Sequence, residues 1–411
     1  MNILYIDHYA GSVSMGMEFR PYYMAREWMK MGHHVRIVAA DYSHIRIHQP
    51  EAPTNVVVTV IDGVEYQIIK AGAYEGNGTK RAISMFRFVV SLWCSAGRIA
   101  MEFKPDVVIS SSTYPLDSYA AAHIARKCNG KYIHEAHDVW PLTLIELGGM
   151  SSHHPFVLLL NQAERYAYGH CDRVVSILPN VLPHMMEQGL REESKFAFIP
   201  NGVVMEEWEH PTALGQEHMH VLDGLRRDGR FIVMYLGGHA LSNALDQLLD
   251  AAKMADGATF VLIGKGVEKD RLEKRAKDEK IENVIFLPPI PKEQVPDALR
   301  RADALYIGAA HSSLYRFGVS MNKMYDYMMS GKPILNGVVA SNNDVNEAEC
   351  GLSFDSSKPE EIADAVKRIQ TMSEKERAEM GSMGAAWVRE NCDYAKLAGR
   401  FLDLFADEVR K

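Results

Sequence analysis

The chain alternates short apolar runs with amphipathic stretches. Ile3–Ile6, Val35–Ala39, Val107–Ser110, Tyr132–His134, Val174–Leu178 and Phe196–Ile199 are rich in β-branched residues and apolar on both faces. That is how a parallel strand reads when helices cover both sides of its sheet. Pro21 to Met31 reads as a helix, with Pro at its start and Gly32 just past its end. Val56–Val60 and Val64–Ile69 flank Asp62-Gly63, a strong turn signal, and predict a β-hairpin. A second series begins near Arg230, with strands at Ile232–Leu236, Phe260–Ile263, Val284–Leu287, Ala304–Ile307 and Pro333–Leu335. Helices at Leu241–Met254 and Lys269–Lys280 fall between them. Met205–Arg230 has little periodicity, contains Pro211 and Gly215, and reads as the linker. The pattern predicts an α/β chain of two successive doubly wound, Rossmann-like units.

Length and composition narrow the class. A chain of 411 residues has room for two domains, and 47% hydrophobic with 24% charged residues excludes a disordered chain. A net charge of −8 argues against sequence-independent nucleic-acid binding. The five cysteines (Cys94, Cys128, Cys171, Cys350, Cys392) are scattered, with no C-x-x-C pair. Neither a disulfide framework nor a zinc site is expected, and a reducing compartment fits best. The amino terminus lacks a basic n-region, a long apolar core and a cleavage site, so it does not read as a signal peptide. The best membrane candidate, Phe86 to Cys94, falls short of the roughly 18–20 apolar residues a span needs. A soluble or peripheral protein is expected. Charge is uneven: 18 Lys+Arg against 19 Asp+Glu through Met205, and 27 against 34 beyond it. The first region is thus the more cationic.

In doubly wound sheets ligands sit beyond the carboxyl ends of the strands, so the residues that follow each strand carry the functional information. After the first strand come Asp7-His8-Tyr9-Ala10-Gly11 and then Gly16, where glycine admits a phosphate or sugar, or merely a tight turn. No G-x-G-x-x-G dinucleotide fingerprint is present. Glu135-Ala-His137-Asp138-Val-Trp140-Pro141 crowds imidazole and carboxylates at one strand end, suited to hydroxyl binding or acid–base work, or to capping. Tyr235-Leu-Gly237-Gly238-His239 and Ile263-Gly264-Lys265-Gly266 are two glycine-rich strand-to-helix turns, and two in one domain suit a diphosphate. Lys323 and Asp326 lie at i,i+3 on one helix face. There a cation could meet phosphate and a carboxylate two ribose hydroxyls; the plainer reading is a surface ion pair.

Together these motifs resemble the family 4 glycosyltransferases of GT-B architecture, over roughly Met1 to Met383. The carboxyl-half pieces are Ile199-Pro-Asn-Gly-Val203, Tyr235-Leu-Gly-Gly238, Leu262-Ile-Gly-Lys-Gly266 with Leu272, Ser320-Met-Asn-Lys-Met-Tyr-Asp-Tyr-Met328 and Gly331-Lys-Pro333. The amino half looks similar to the branch that builds O-antigen and capsule. Its signs are Tyr5-Ile-Asp-His-Tyr-Ala-Gly11, Gly16-Met-Glu-Phe-Arg-Pro-Tyr-Tyr23, Ser43-His-Ile-Arg46, Ile61-Asp-Gly63, Tyr74-Glu-Gly-Asn-Gly78 with Arg81, and Asp138-Val-Trp-Pro141.

The resemblance implies two Rossmann-like domains facing across a cleft. These are an acceptor-side domain over residues 1–205 and a nucleotide-sugar-binding domain over 206–393, with a helix at about 394–411 packing back on the first. It implies retaining transfer of a sugar from a nucleotide sugar to an acceptor hydroxyl, with no metal and no cofactor. UDP is the default nucleotide, an N-acetylated or 6-deoxy amino sugar the default cargo, and a glycan or polyprenyl-linked sugar the acceptor. His137, Glu135 and Asp138 are the implied catalytic group. Gly11, Gly16, Asn201, Gly237, Gly238, Lys265, Ile290, Arg316, Ser320, Lys323 and Asp326 are the implied donor-binding residues. Pro288–Ile290 lies where the backbone reads the base. Three departures stand out. Asp326 replaces the second acid of the family's paired-glutamate signature and Gly318 stands at the first. Gly238 and Asn243 occupy the usual basic pair, and His137 stands where relatives often have arginine. Two alternatives are a nucleotide-sugar 2-epimerase of the same architecture and an inactive sugar-nucleotide-binding scaffold. Lys80, Arg81, Arg87, Arg98 and Lys104, interleaved with Phe86, Phe88, Val90, Leu92 and Trp93, read either as a core helix with charged flanks or as a face that lies on an anionic bilayer. A cytoplasmic protein, peripheral at the inner face of the plasma membrane, is the expected setting.

Overall fold

The computed structural model describes residues 1–76 and 78–405. Contacts divide the chain into two units: Met1–Pro200 with the segment from Tyr394 onward, and Asn201–Asp393.

The first unit holds β1 (Asn2–Ile6), β2 (His34–Ala40), β3 (Val56–Ile61), β4 (Val64–Ile69), β5 (Val107–Ser110), β6 (Lys131–Ala136), β7 (Arg173–Ser176) and β8 (Phe196–Phe198). They form one 8-stranded sheet in the order β3-β4-β2-β1-β5-β6-β7-β8. Every pairing is parallel except β3 with β4. That hairpin turns at Asp62 and Gly63, with φ of 47° and 82°, which Asp and Gly adopt most readily. The central strands β1, β2 and β5 are almost wholly buried, which explains their unbroken apolar runs. The helix Tyr394–Asp403 packs on the helix Arg20–Lys30: Trp28 Nε1 donates to the Ala398 carbonyl at 3.0 Å, and Trp28 meets Phe401 edge-on at 5.3 Å. Residues 406–411 of the expected terminal helix, and Asn77 of the Tyr74–Gly78 motif, lie outside the described residues.

The second unit holds β9 (Phe231–Leu236), β10 (Ala258–Ile263), β11 (Val284–Leu287), β12 (Ala304–Gly308), β13 (Ile334–Gly337) and β14 (Gly351–Ser353). These form a 6-stranded parallel sheet in the order β11-β10-β9-β12-β13-β14. Each unit is thus a doubly wound, Rossmann-like α/β domain in its own right.

Three expectations need correction. Met205–Arg230 is not a linker: it carries helices Met205–Glu209 and Gln216–Arg227, and it buries Trp208, Leu214 and Leu222 in the core of the second unit. Three large side chains spaced too irregularly for a single period hid this packing. The helix expected over Leu241–Met254 is broken by Ala244, at φ 50°, and runs only over Leu245–Ala252. The helix Thr79–Glu102 is long and apolar enough by length and composition to span a bilayer, beyond the Phe86–Cys94 run. One of its faces, with Phe88, Leu92, Ala96 and Ile99, is buried in the first unit.

Candidate functional site

In the second unit, β9 ends in the turn Gly237-Gly238-His239 and β10 in Gly264-Lys265-Gly266. The turns are keyed together: Gly237 N–H donates to the Ile263 carbonyl at 3.0 Å and His239 N–H to the Lys265 carbonyl at 2.8 Å. A Cβ on Gly264 would lie 1.9 Å from the Gly237 carbonyl oxygen, and one on Gly266 2.2 Å from that of His239. This corrects the expectation of two equivalent anion turns, because the second turn's glycines serve backbone packing. Lys265 itself is exposed. A Cβ on Gly238 would meet nothing nearer than the Lys265 carbonyl oxygen at 4.0 Å.

Lys323, in the first turn of helix Asn322–Met329, points at the first turn. Its Nζ lies 3.6 Å from the Cβ position of Gly237. It donates to Asn243 Oδ1 at 2.6 Å and Tyr235 OH at 3.3 Å. The break at Ala244 is what delivers Asn243, whose Nδ2 donates to the Gly238 carbonyl at 2.9 Å. Burial lowers the Lys323 amine to about 8. Among the described residues no carboxylate pairs with it. A cation taken from water and given only neutral acceptors is an anion site waiting for its anion.

Asp326, one turn on, does not pair with Lys323. Its Oδ2 accepts from Lys292 Nζ at 2.6 Å, while Oδ1 carries no hydrogen bond among the described residues. The plainer reading, an ion pair between positions 323 and 326, is therefore wrong. Pro288 is also spoken for, since its carbonyl accepts from His218 Nε2 at 2.9 Å, and only Pro289 and Ile290 of that segment keep open backbone. Asn201 and Ser320 bind each other. Asn201 N–H donates to Ser320 Oγ at 2.8 Å and its Nδ2 to the Ser320 carbonyl at 2.7 Å. These bonds brace the loop before the helix and leave Asn201 Oδ1 buried without a partner among the described residues. Arg316 is exposed, its guanidinium over Phe317 at 4.4 Å and its Nη1 on the Ser313 carbonyl at 2.6 Å. Gly318 sits at φ 90°, ψ −179°, a region open essentially to glycine alone. The backbone therefore accounts for the missing carboxylate at that position.

In the first unit, the loop after β1 is closed on itself. A Cβ on Gly11 would lie 1.8 Å from the Gly16 carbonyl oxygen, and Gly16, at φ 97°, lies against the Ile47 N–H. Arg46 is buried; its Nε donates to the Ala10 carbonyl at 2.8 Å and its Nη1 to that of Ala40 at 2.7 Å. Gly11 and Gly16 are therefore glycines for the sake of protein backbone, which corrects their assignment to the donor.

The Glu135–His137 motif at the end of β6 sits in a buried network. Glu135 is wholly enclosed. Its Oε1 accepts from Arg20 Nε at 3.0 Å and Nη2 at 2.9 Å, and its Oε2 from Ser111 Oγ at 2.6 Å and from Tyr5 OH. Arg20 also donates Nη1 to the Pro200 carbonyl at 2.5 Å and Nη2 to that of Ile199 at 3.0 Å. Burial alone would raise the Glu135 pKa, but Arg20 and then His137 hold it well below the usual carboxylate range. Glu135 is thus a positioning residue, not a catalytic one. His137 Nε2 lies 3.1 Å from Glu135 Oε2 and 2.9 Å from Ser111 Oγ. Burial would lower its pKa, but the Glu135 carboxylate outweighs burial and raises it. Its side chain keeps 14% exposure, enough for contact from outside. Asp138 caps the next turn: its Oδ1 accepts from Val139 N–H at 2.8 Å and Thr143 Oγ1 at 2.7 Å. That commitment corrects its catalytic assignment. Beside them Asp7 is buried, and desolvation lifts it to about 7 against the pull of His137.

Sequence reasoning quoted Tyr5 and Arg20 inside motifs without giving either a role, and passed over Ser111. One signal was available: Arg20 opens a helix, where a cation opposes the helix dipole and needs another reason to be there. No group of three or more His, Cys, Asp or Glu side chains that could hold a metal ion occurs among the described residues.

Comparison with known proteins adds the following. Residues 15–207 match the family model described as Glycosyltransferase Family 4, and residues 223–387 the model described as Glycosyl transferases group 1. The probable glycosyltransferase WbjE of Pseudomonas aeruginosa is 21% identical over 325 residues, 76% of each chain. Sucrose-phosphate synthase of Thermosynechococcus elongatus superposes with a TM-score of 0.75 at 15% identity, over 99% of this chain and 98% of that one. Anabaena HepE, solved with UDP and glucose, gives 0.67 at 13% identity, over 99% and 100%. At such identities the two structures show the fold.

Proposed function

We propose that this chain, a glycosyltransferase of the GT-B fold, moves a sugar from a UDP-linked donor to a hydroxyl of a glycan or polyprenyl-linked acceptor, with retention of configuration, during surface polysaccharide synthesis. The observation that carries the donor half is Lys323, a desolvated cation with no counter-ion beside an open glycine turn. UDP, bound in the structure of HepE, supplies the matching anion. The relative described as a putative colanic acid biosynthesis glycosyl transferase, WcaI of Escherichia coli, 25% identical over 34% of this chain, supports the polysaccharide context.

In this reading Lys323 and the Gly238 N–H, the one amide of that turn not given to the neighbouring turn, stabilise the charge that develops on the leaving diphosphate. Asp326 takes the ribose hydroxyls through its uncommitted Oδ1, with Lys292 holding the carboxylate in place. No side chain acts as nucleophile. The departing phosphate takes the acceptor proton on the face it leaves, around an oxocarbenium-like transition state. His137 is the partly accessible group of the first unit, held by Glu135 in a fixed orientation and offered to a sugar hydroxyl. The donor carries an N-acetylated or 6-deoxy amino sugar, and the protein works in the cytoplasm against the inner face of the membrane. The exposed stripe of Ile83, Phe86, Val90, Trp93 and Met101 on helix Thr79–Glu102, flanked by Lys80, Arg87 and Arg98, supports that placement. Liposome flotation with anionic vesicles checks it, and protein that stays at the bottom of the gradient counts against it.

The donor reading is tested by thermal shift with UDP. At 100 times the dissociation constant a ligand adds about 2.7 kcal/mol. The shift should appear in the wild type and vanish in Lys323→Ala and Asp326→Ala. Equal shifts in all three proteins would place the nucleotide elsewhere.

A further inference from the structure

Gly331-Lys332-Pro333 is a motif piece that the donor reading leaves without a task. It joins the end of helix Asn322–Met329 to β13. Gly331 turns the chain at φ 74°. Helix Glu374–Asn391 packs directly on it, since a Cβ on Gly381 would lie 2.0 Å from the Gly331 carbonyl oxygen. Lys332 therefore emerges beside the amino ends of β9, β12 and β13, at the far end of the sheet from Gly237 and Gly238. β9 is 6 residues long. At about 3.3 Å per residue, roughly 20 Å separate the two ends.

A cavity of about 210 Å³ opens there, with Arg226, Asp303, Lys332, Glu374 and Arg377 in its wall. Sites that enclose a whole small-molecule ligand run to about 300–1,000 Å³, so this one suits a small ion. Cations outnumber carboxylates in that wall, and one carboxylate is spent. Asp303 Oδ1 accepts from Arg226 Nη1 at 3.1 Å and its Oδ2 from Ile232 N–H at 2.8 Å. Arg226 gives Nη2 to the Arg301 carbonyl at 2.8 Å, which completes that pair. Arg377 is half-buried, with Nη1 on the Met372 carbonyl at 2.5 Å and its guanidinium 5.3 Å from the Phe231 ring. Its other N–H groups carry no hydrogen bond among the described residues. Lys332 is half-buried too, and its ammonium has neither a hydrogen bond nor an ion pair among the described residues. Burial lowers its pKa, against the pull of Asp303. Glu374 lies exposed at the rim and joins no ion pair among the described residues. A partly desolvated ammonium beside an open guanidinium edge lacks the anion that would offset its lost hydration.

We propose that Lys332 and Arg377 bind a phosphoryl group, as inorganic phosphate or the end of a phosphomonoester, at a site separate from the donor turns. The two side chains come from different elements, the turn before β13 and the start of helix Glu374–Asn391. Donors converging from separate elements suit oxygens at the corners of a tetrahedron. A phosphoryl group near neutral pH carries close to two charges, so it gains more from this wall than a monovalent carboxylate does. The site stands on its own residues, whether or not UDP binds at Lys323.

The test is calorimetric titration of the full chain carrying Lys323→Ala, which removes the donor-site cation. Inorganic phosphate, glycerol 3-phosphate and acetate are compared at fixed ionic strength. Phosphate should bind about tenfold or more tightly than acetate, and adding Lys332→Ala should weaken it by about tenfold or more. Arg377→Gln should weaken it as well, and Lys332→Arg should keep most of the affinity. Glu374→Gln, a change to an exposed side chain that leaves the fold alone, should tighten it. Melting midpoints are recorded for each variant, and the Glu374→Gln response keeps the test decisive if Lys332→Ala melts early. Glycerol 3-phosphate binding at least as tightly as phosphate would name a phosphomonoester as the occupant, and weaker binding would name free phosphate. Loss of phosphate binding in Lys323→Ala alone, affinity indifferent to both Lys332→Ala and Glu374→Gln, or acetate binding equal to phosphate would each overturn the proposal.

Discussion

The two units handle buried charge in opposite ways. In the first, Arg20 and Glu135 are both fully enclosed, and every strong acceptor of the carboxylate is filled by a guanidinium, a tyrosine, a serine or an imidazole. In the second, Lys323 is desolvated with only an amide oxygen and a phenol for company. A completed network is architecture, because it would lose by admitting a ligand. An uncompleted one is a binding site, because the ligand supplies what the fold withholds. A sequence shows both kinds of residue as a charge at a strand or helix end. Only the tally of partners separates them.

The contrast can be broken most sharply at Arg20. Arg20→Ala leaves Glu135 buried without its cation and should cost about 3–5 kcal/mol in urea unfolding; a loss below 1 kcal/mol would mean that the network is loosely held. Next is Asp7, which keeps its proton to about 7 in the folded chain while the unfolded chain releases it near 4. Between those values the unfolded state binds fewer protons, so stability should fall as pH rises. At most the fall is roughly 4 kcal/mol, at 1.36 kcal/mol per unit. Unfolding midpoints across that range should decline in the wild type and flatten in Asp7→Asn. In the second unit Gly318→Glu, which restores the family's acid, should lower stability by about 1–3 kcal/mol because its φ and ψ suit glycine alone. An unchanged melting curve would show that the loop can rearrange. The smallest effect concerns Lys323, lowered to about 8 by burial. UDP affinity should fall up to about tenfold per pH unit above that value as the amine loses its charge, and Lys323→Arg should flatten the profile.

Much of the fold was legible because strands buried on both faces leave continuous apolar runs, as in β1, β2 and β10. Met205–Arg230 was not, because Trp208, Leu214 and Leu222 are buried by neighbours distant in sequence rather than by one helical face. The site was legible as chemistry but not as role. Glu135 and His137 announced themselves by composition, yet what Glu135 does depends on Arg20, 115 positions away. Glycines were the least readable. Gly11, Gly16, Gly264 and Gly266 look like ligand glycines, and each is required by a neighbouring peptide.

The keyed turns carry a consequence for how this protein can drift. The peptide of Gly237 fits against the vacant Cβ space of Gly264, and that of His239 against Gly266. The turn whose glycines meet only backbone is therefore a template for the turn that faces Lys323. A side chain gained at position 264 or 266 would push the Gly237–His239 backbone aside without altering any residue near Lys323. Substitutions there should surface as losses of donor affinity with no contact to explain them, and a reversion would have to come from the opposite turn.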